Sequence, residues 1–342
     1  MSIAEPPPLV APGSRTAKQT AGVAKRKSLT VVTPVFNEED VIARFYERTK
    51  AVLGDLAGRY DTKILFVLDR SNDGTLQILR ELAARDPDAQ VIALSSRFGH
   101  QMSLLAGIDH ADDADVIVMM DSDLQHPPEI IPELLAAHEA GNDVVYTVRV
   151  ENRDTGVVRR TLGSGFYRLL SYLSRVPIHE NSADFRLISR RVAALLRKRI
   201  RERNMFLRGL FTWIGFNQAR VDYAAAPRAG GHSKYSLARM LGLATAAILS
   251  FSTKPLQISI FLGLGFAAAS LALVVFTVVA YFHDKTIPSG WTTIVTLLLL
   301  FSGVQLIVMG ILGAYIGGIY EEVKERPHYI VDEIINLGDE ES

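Results

Sequence analysis

Two carboxylates one residue apart close a short apolar run, Val116-Ile117-Val118-Met119-Met120-Asp121-Ser122-Asp123. Aspartates at this spacing can hold a hard divalent cation through oxygen, and such a cation can hold a diphosphate. An Asp-x-Asp triplet is more often a pair of solvated loop carboxylates, so the run before it matters. That run is rich in β-branched residues and stops at Gln125-His126-Pro127-Pro128, which is the pattern of a buried strand ended by a polar turn. The pair then sits at a strand's carboxyl end, where open α/β sheets bind ligands.

A second concentration of chemistry is cationic. Arg149, Arg153, Arg159, Arg160, Arg168, Arg175, Arg186, Arg190 and Arg191 are followed by Arg197-Lys198-Arg199-Ile200-Arg201-Glu202-Arg203 and Asn204-Met205-Phe206-Leu207-Arg208. Any one of these fits a solvated helix face. Together with acids at a sheet edge and an apolar region downstream, they suit two anionic substrates. One would be held through a metal and the other would be a phosphate at a bilayer surface.

The elements that must position these groups alternate. Strands are expected at 29–34, 63–68, 90–95, 116–120 and 143–147. Helices are expected at 39–56 (with Asn37 as its cap), 74–84, 100–111 and 128–139. This alternation predicts an α/β domain with a mostly parallel sheet and helices on both faces. No Gly-x-Gly-x-x-Gly and no Walker lysine loop is present, so a dinucleotide or P-loop reading lacks its phosphate device.

Composition bounds the rest. The 37 basic and 37 acidic residues cancel, which offers no argument for nucleic acid, and the absence of cysteine excludes disulfides and thiolate metal sites. Leu256–Phe282 and Trp291–Tyr320 carry no charge, and each is long enough as a helix to cross a hydrocarbon core of about 30 Å. Basic residues flank the pair outside (Arg228, Lys234, Arg239 and Lys254 before, Lys324 and Arg326 after), while the joining loop has only Lys285. By the positive-inside rule both ends are cytoplasmic.

The expected organisation follows from these features. Residues 1–27 form a disordered tail without the apolar core of a secretory signal. Residues 28–227 form a cytoplasmic catalytic domain. Residues 228–254 form a juxtamembrane segment, amphipathic over Tyr235–Phe251 and suited to the interfacial plane. Residues 255–320 hold two membrane helices, near 256–282 and 291–317, and 321–342 form a cytoplasmic tail. Glycines along the two helices would allow close packing, in a homo-oligomer or in a tight monomeric hairpin.

Several segments, taken in order, resemble the membrane-anchored polyprenyl-phosphate glycosyltransferases of family 2, which have a GT-A fold and include bactoprenol glucosyltransferases and dolichol-phosphate mannose synthases. They are Thr33-Pro34-Val35-Phe36-Asn37-Glu38-Glu39, Phe98-Gly99-His100-Gln101, Asp121-Ser122-Asp123-Leu124-Gln125-His126-Pro127-Pro128-Glu129 and Asp184-Phe185-Arg186-Leu187. Gly231-His232-Ser233-Lys234-Tyr235, Ser250-Phe251-Ser252 and Ile319-Tyr320-Glu321-Glu322-Val323-Lys324-Glu325-Arg326-Pro327 complete the set. The similarity runs from about Leu29 to Tyr329.

The resemblance implies a role for each match. Pro34, Phe36 and Glu38 cradle the nucleotide, and Asp69 contacts the nucleoside. Asp121 and Asp123 hold Mg²⁺ or Mn²⁺ and the diphosphate, with Gln125 and Arg149 also on the nucleotide sugar. Arg153, Arg228, Ser233 and Lys234 meet the acceptor phosphate. Asp184, Asp123 and Arg228 are the catalytic candidates, with Asp184 as a base or as a residue that orients a cation or a sugar hydroxyl.

The implied reaction is inverting transfer of one sugar from a nucleotide sugar to a polyprenyl phosphate at the cytoplasmic face of the inner membrane. UDP-glucose with undecaprenyl phosphate is the favoured pair. GDP-mannose, UDP-linked amino sugars and modified arabinose stay open. A processive polysaccharide synthase would need more spans and a Gln-x-x-Arg-Trp motif.

Two departures stand out. An Asp-Asp-Gly-Ser pattern is usual where this chain has Leu68-Asp69-Arg70-Ser71, and Gly-Glu-Tyr is frequent where it has Gly313-Ala314-Tyr315. Leu68 and Arg70 are the support for an alternative, a catalytically weak lipid-sugar-binding partner of a flippase.

Overall fold

The computed structural model describes residues 26–150, 182–203, 205–224, 253–283 and 290–337. The expected amphipathic helix at 235–251 lies outside them.

Four strands run parallel: β1 (Lys27–Val35), β2 (Tyr60–Leu68) and β3 (Ala89–Leu94) on one side, with β4 (Val116–Met119) on the other side of β1. Between them come α1 (Ile42–Leu56), α2 (Thr75–Arg85) and α3 (His100–His110), and α4 (Ile131–Glu139) follows β4. All four strands are almost wholly apolar where they are buried, as a sheet covered on both faces requires.

The order then departs from simple winding. β5 (Val144–Arg149) does not pair with β4. A later strand, β6 (Ser182–Ser189), inserts antiparallel between them. After α5 (Arg190–Lys198) and α6 (Leu207–Trp213), β7 (Gln218–Tyr223) joins β5 in parallel. Next come two long helices, α7 (Lys254–His283) and α8 (Trp291–Val323). The segment expected as a tail returns as β8 (Val331–Ile335), antiparallel to β3. The described strands make one eight-stranded sheet, ordered β7-β5-β6-β4-β1-β2-β3-β8.

Two apolar clusters cover its faces. Ile42, Phe45, Leu53, Leu79 and Leu134 pack on one. Leu104, Ile108, Val192, Leu196 and Leu210 pack on the other. Each fully buried side chain of this size contributes roughly 1.5–3 kcal/mol. Gly107 brings α3 down onto β1, where a Cβ would collide with Val32.

Stretches Lys254–Leu273 and Leu300–Val323 are apolar and long enough to cross a membrane. Phe261 is 71% exposed and Leu306 68% exposed, so these faces are not buried in protein.

Candidate active site

Parallel strands put their carboxyl ends on one edge, and two of them carry acids there. Asp121 and Asp123 follow β4, Asp69 follows β2, and Pro34 and Phe36 mark the end of β1. Because β6 runs antiparallel, its beginning reaches the same edge. Met119 pairs with Arg186, and the same register continued by two residues sets Asp184 opposite Asp121.

These ends enclose a cleft of about 240 Å³ whose lining includes Pro34, Phe36, Glu38, Asp69, Asp121 and Asp123. Arg97, Gly99 and His100 complete its far wall. Arg97 lies over the Phe36 ring, 4.1 Å from its centroid, a cation–π contact at the mouth.

Asp69 is 4% exposed, and both of its oxygens are engaged. Oδ1 accepts from the Phe98 amide at 2.8 Å and Oδ2 from the Gly99 amide at 3.0 Å. Asp69 therefore fixes the turn that starts α3 and presents His100 to the cleft. Each oxygen keeps a further lone pair for a ligand. Gly99 has φ +89°, a conformation that side chains rarely adopt.

The neighbouring loops are stitched together. Ser71 Oγ accepts from the Asn37 amide, Asn37 Oδ1 accepts from the Asn72 amide, and Glu39 Oε2 accepts from the Gly74 amide. Asn37 is therefore not the cap of α1, which starts at Ile42. With φ +53° it is spent on holding these two loops together.

Leu68 points into the apolar core at 3% exposure, and Arg70 Nη1 donates to the Ser95 carbonyl at 2.6 Å. Neither departure from the usual pattern disturbs the Asp69 clamp.

Asp184 is buried and held by Arg208 and His100. Arg208 Nε donates to Oδ1 at 2.7 Å and Nη2 to Oδ2 at 2.8 Å, a two-pronged fork. His100 Nε2 lies 3.2 Å from Asp184 Oδ2 and 3.6 Å from Asp121 Oδ1, between the two acids. Burial alone would raise the Asp184 carboxyl. The hydrogen bonds from Arg208 and His100 outweigh it and hold the group well below the usual carboxylate range. Burial would likewise depress His100, but its bond to Asp184 and the charges of Asp121 and Asp184 raise it above the usual imidazole value. Next along β6, Arg186 is buried over the Phe211 ring and pushed down to about 10 by that burial.

Asp121 is aligned from behind. Its backbone amide donates to His126 Nδ1 at 3.0 Å, which fixes that imidazole as an acceptor. The His126 ring stacks on Phe185 at 5.2 Å. Asp123 Oδ1 accepts from the Gln125 amide, closing the turn that Leu124 makes at φ +61°. Gln125 Nε2 is buried with no hydrogen-bond partner among the described residues.

Among the described residues no group of three or more His, Cys, Asp or Glu is placed around one metal position. Two oxygen donors in an open cleft still fit a Mg²⁺- or Mn²⁺-sized ion that takes its remaining ligands from water and a diphosphate.

Of the residues singled out in the sequence, the fold therefore gathers Pro34, Phe36, Glu38, Asp69, Asp121, Asp123 and Asp184, with Gln125 adjoining. Arg149 ends β5 opposite Tyr223. The Tyr223 hydroxyl is pushed up to about 12 by burial, against the charge of Arg149 and with those of Asp121 and Asp123. Arg153, Arg228, Ser233 and Lys234 lie outside the described residues.

The residues 30–196 match the family model described as Glycosyl transferase family 2. Whole-length relatives agree. The uncharacterized glycosyltransferase YkcC of Bacillus subtilis (strain 168) is 40% identical over 88% of this chain and 92% of its own. The chain belongs to glycosyl transferase family 2. The SfII prophage-derived bactoprenol glucosyl transferase of Shigella flexneri is 37% identical over 89% of this chain and 97% of its own. The prophage bactoprenol glucosyl transferase homolog of Escherichia coli (strain K12) is 35% identical over 90% and 99%.

The protein is thus a glycosyltransferase enzyme with a GT-A-like α/β fold. Sequence reasoning passed over three side chains of this family 2 site. His100 lies in Phe98-Gly99-His100-Gln101 with nothing in the spacing to assign it a role, Arg208 is one arginine in a crowded run, and Arg97 belongs to no motif. Only the packing of α3, α6 and β6 around one cleft distinguishes them.

Proposed function

We propose that this family 2 enzyme transfers one sugar from a nucleotide sugar to the phosphate of a polyprenyl phosphate at the membrane face, with inversion. The observation that carries the reading is the placement of the Asp121/Asp123 pair beside a buried, cation-locked carboxylate, Asp184. The same chain holds two helices able to cross a membrane. The bactoprenol glucosyl transferases among its relatives favour a lipid-phosphate acceptor and glucose as the sugar.

In the proposed step an acceptor phosphate oxygen attacks the anomeric carbon from the face opposite the diphosphate. The bond from that carbon to the diphosphate oxygen breaks, and its electron pair leaves with the nucleoside diphosphate. An α-linked donor gives a β-linked lipid-phosphate sugar. Asp121 and Asp123 would hold Mg²⁺ or Mn²⁺, which when bound takes up charge on the departing diphosphate. Pro34, Phe36 and Glu38, with Arg97 over Phe36, would receive the nucleotide.

The acceptor phosphate is already an anion near neutral pH, so it needs alignment and relief from repulsion more than deprotonation. Asp184 fits that need as the residue that holds Arg208 and His100 in place. A carboxylate so firmly ionised is a poor proton acceptor. Arg149, Arg153, Arg228, Ser233 and Lys234 remain proposed phosphate contacts, and UDP-glucose with undecaprenyl phosphate remains the proposed pair.

The test is transfer of labelled sugar into lipid by purified protein given undecaprenyl phosphate, Mg²⁺ and a panel of nucleotide sugars. Metal-dependent label from one donor, lost in Asp123→Ala, supports the reading and names the sugar. Nucleotide binding with no label from any donor overturns it in favour of a lipid-sugar-binding protein.

A further inference from the structure

The motif Glu322–Pro327 has no part in the cleft, yet it is heavily bonded to the catalytic domain. Glu322 Oε2 accepts from the Arg203 amide at 2.8 Å. Arg203 Nη1 donates to the carbonyls of Arg326 at 3.0 Å and Pro327 at 2.9 Å. His328 Nε2 lies 3.2 Å from the Arg201 carbonyl. Tyr329 then donates through its hydroxyl to Asp109 Oδ2 at 2.8 Å, and Arg201 Nη1 reaches both oxygens of the same carboxylate at 2.9 Å. Beyond the knot Ser95 donates its amide to the Ile330 carbonyl, and β8 pairs with β3.

Two features make this more than a surface attachment. The knot begins on the last turn of α8, so it fixes the end of an apolar helix to the domain without a free linker. It also lands on α3, the helix whose first residue is His100. Eleven helical residues span about 16 Å, so one rigid rod joins the strap to the cleft. Arg197 secures the same end of α3, donating to the carbonyls of Ile108 and Ala111.

We infer that the strap Glu322–Tyr329, held by Arg203 and Asp109, is a positioning device that sets the catalytic cleft at a fixed height for an acceptor carried in the bilayer. This rests on the reading that the acceptor is a membrane lipid phosphate. Arg203 and Tyr329 are positioning residues: neither lines the cleft. A reacting phosphate tethered to the bilayer can be aligned only if the site is held at its depth, whereas a soluble acceptor diffuses to the site from any direction.

The experiment compares Arg203→Ala and Tyr329→Phe with the unaltered full-length protein on two acceptors. One is undecaprenyl phosphate in liposomes, and the other is a short, water-soluble isoprenyl phosphate in detergent. Arg203→Ala leaves the backbone bond to Glu322 intact, and Tyr329→Phe keeps the ring and removes one hydroxyl. Transfer to the liposomal lipid is expected to fall about tenfold in each, the scale of losing one or two hydrogen bonds. Transfer to the soluble acceptor and affinity for the nucleotide sugar should stay within about twofold. Equal losses on both acceptors would reduce the strap to general structural support and overturn the inference. So would full activity of both variants in liposomes. Failure of the unaltered protein on liposomal lipid would instead overturn the lipid-acceptor reading on which the inference rests.

Discussion

Asp184 receives both prongs of the Arg208 guanidinium, at 2.7 and 2.8 Å, on a strand edge where the cleft already carries Asp121 and Asp123. Three carboxylates so close would repel an anionic substrate. The fork cancels the charge of one of them.

Removing either partner of this pair should therefore cost transfer without removing nucleotide. Arg208→Gln and Asp184→Asn are each expected to slow transfer roughly 10- to 100-fold, since charge-assisted hydrogen bonds contribute about 1.5–3 kcal/mol. Arg208→Lys keeps the charge and loses the fork, so it should fall between. Nucleotide-sugar affinity, measured by calorimetry, should hardly move. An Asp184→Asn enzyme with full activity would contradict the assignment.

His100 stands between Asp184 and Asp121, and its bond to Asp184 and the two charges raise its affinity for a proton against the opposing effect of burial. His100→Gln keeps a donor and should lower the maximal rate of labelled transfer roughly tenfold. His100→Leu leaves the buried Asp184 and the half-buried Asp121 without it and should lower the rate further, with some loss of thermal stability. Equal rates for the two variants would count against a role for the hydrogen bond.

Far from the cleft, Lys50 and Tyr46 bond Asp86, and against the opposing effect of burial they hold its carboxyl below the ordinary range. A depressed folded value means that this stabilisation is present above the unfolded carboxylate value near 4 and lost as pH falls through the folded one. Asp184 adds in the same sense. The melting temperature should fall steeply below about pH 4, and Asp86→Asn should flatten that fall while leaving transfer at neutral pH unchanged.

Gly107 is where α3 meets β1. Gly107→Ala would drive a methyl group into Val32 and should cost about 1–3 kcal/mol of stability, read from chemical denaturation. Because α3 carries His100, activity should fall along with it. A stability unchanged by the substitution would mean that the helix can lift off the sheet.

Much of this was legible in the residues. The alternation of apolar runs and amphipathic stretches between Leu29 and Thr147 located the parallel strands and their helices within a few residues. The Asp121/Asp123 pair announced itself by following an apolar strand. What stayed hidden is long-range pairing. β6 alternates Asp184 and Arg186 with Phe185 and Leu187, so charge interrupts its apolar pattern, and only pairing with β4 and β5 makes it a central strand. β8 follows the second apolar helix, where local pattern suggests a tail. Arg208 matters because α6 turns it toward β6, and no spacing in the chain encodes that contact.

The last strand has a consequence for biosynthesis. Gln90 of β3 bonds Asn336 across 246 residues of chain. During translation the β3 edge must wait, unpaired, until both apolar helices have been made and the chain beyond them has emerged. An open strand edge is a template for wrong pairing. The catalytic sheet is thus finished only by a strand that follows both apolar helices, and a truncated product ending within the hairpin would carry all the acids of the cleft on a sheet with one raw edge.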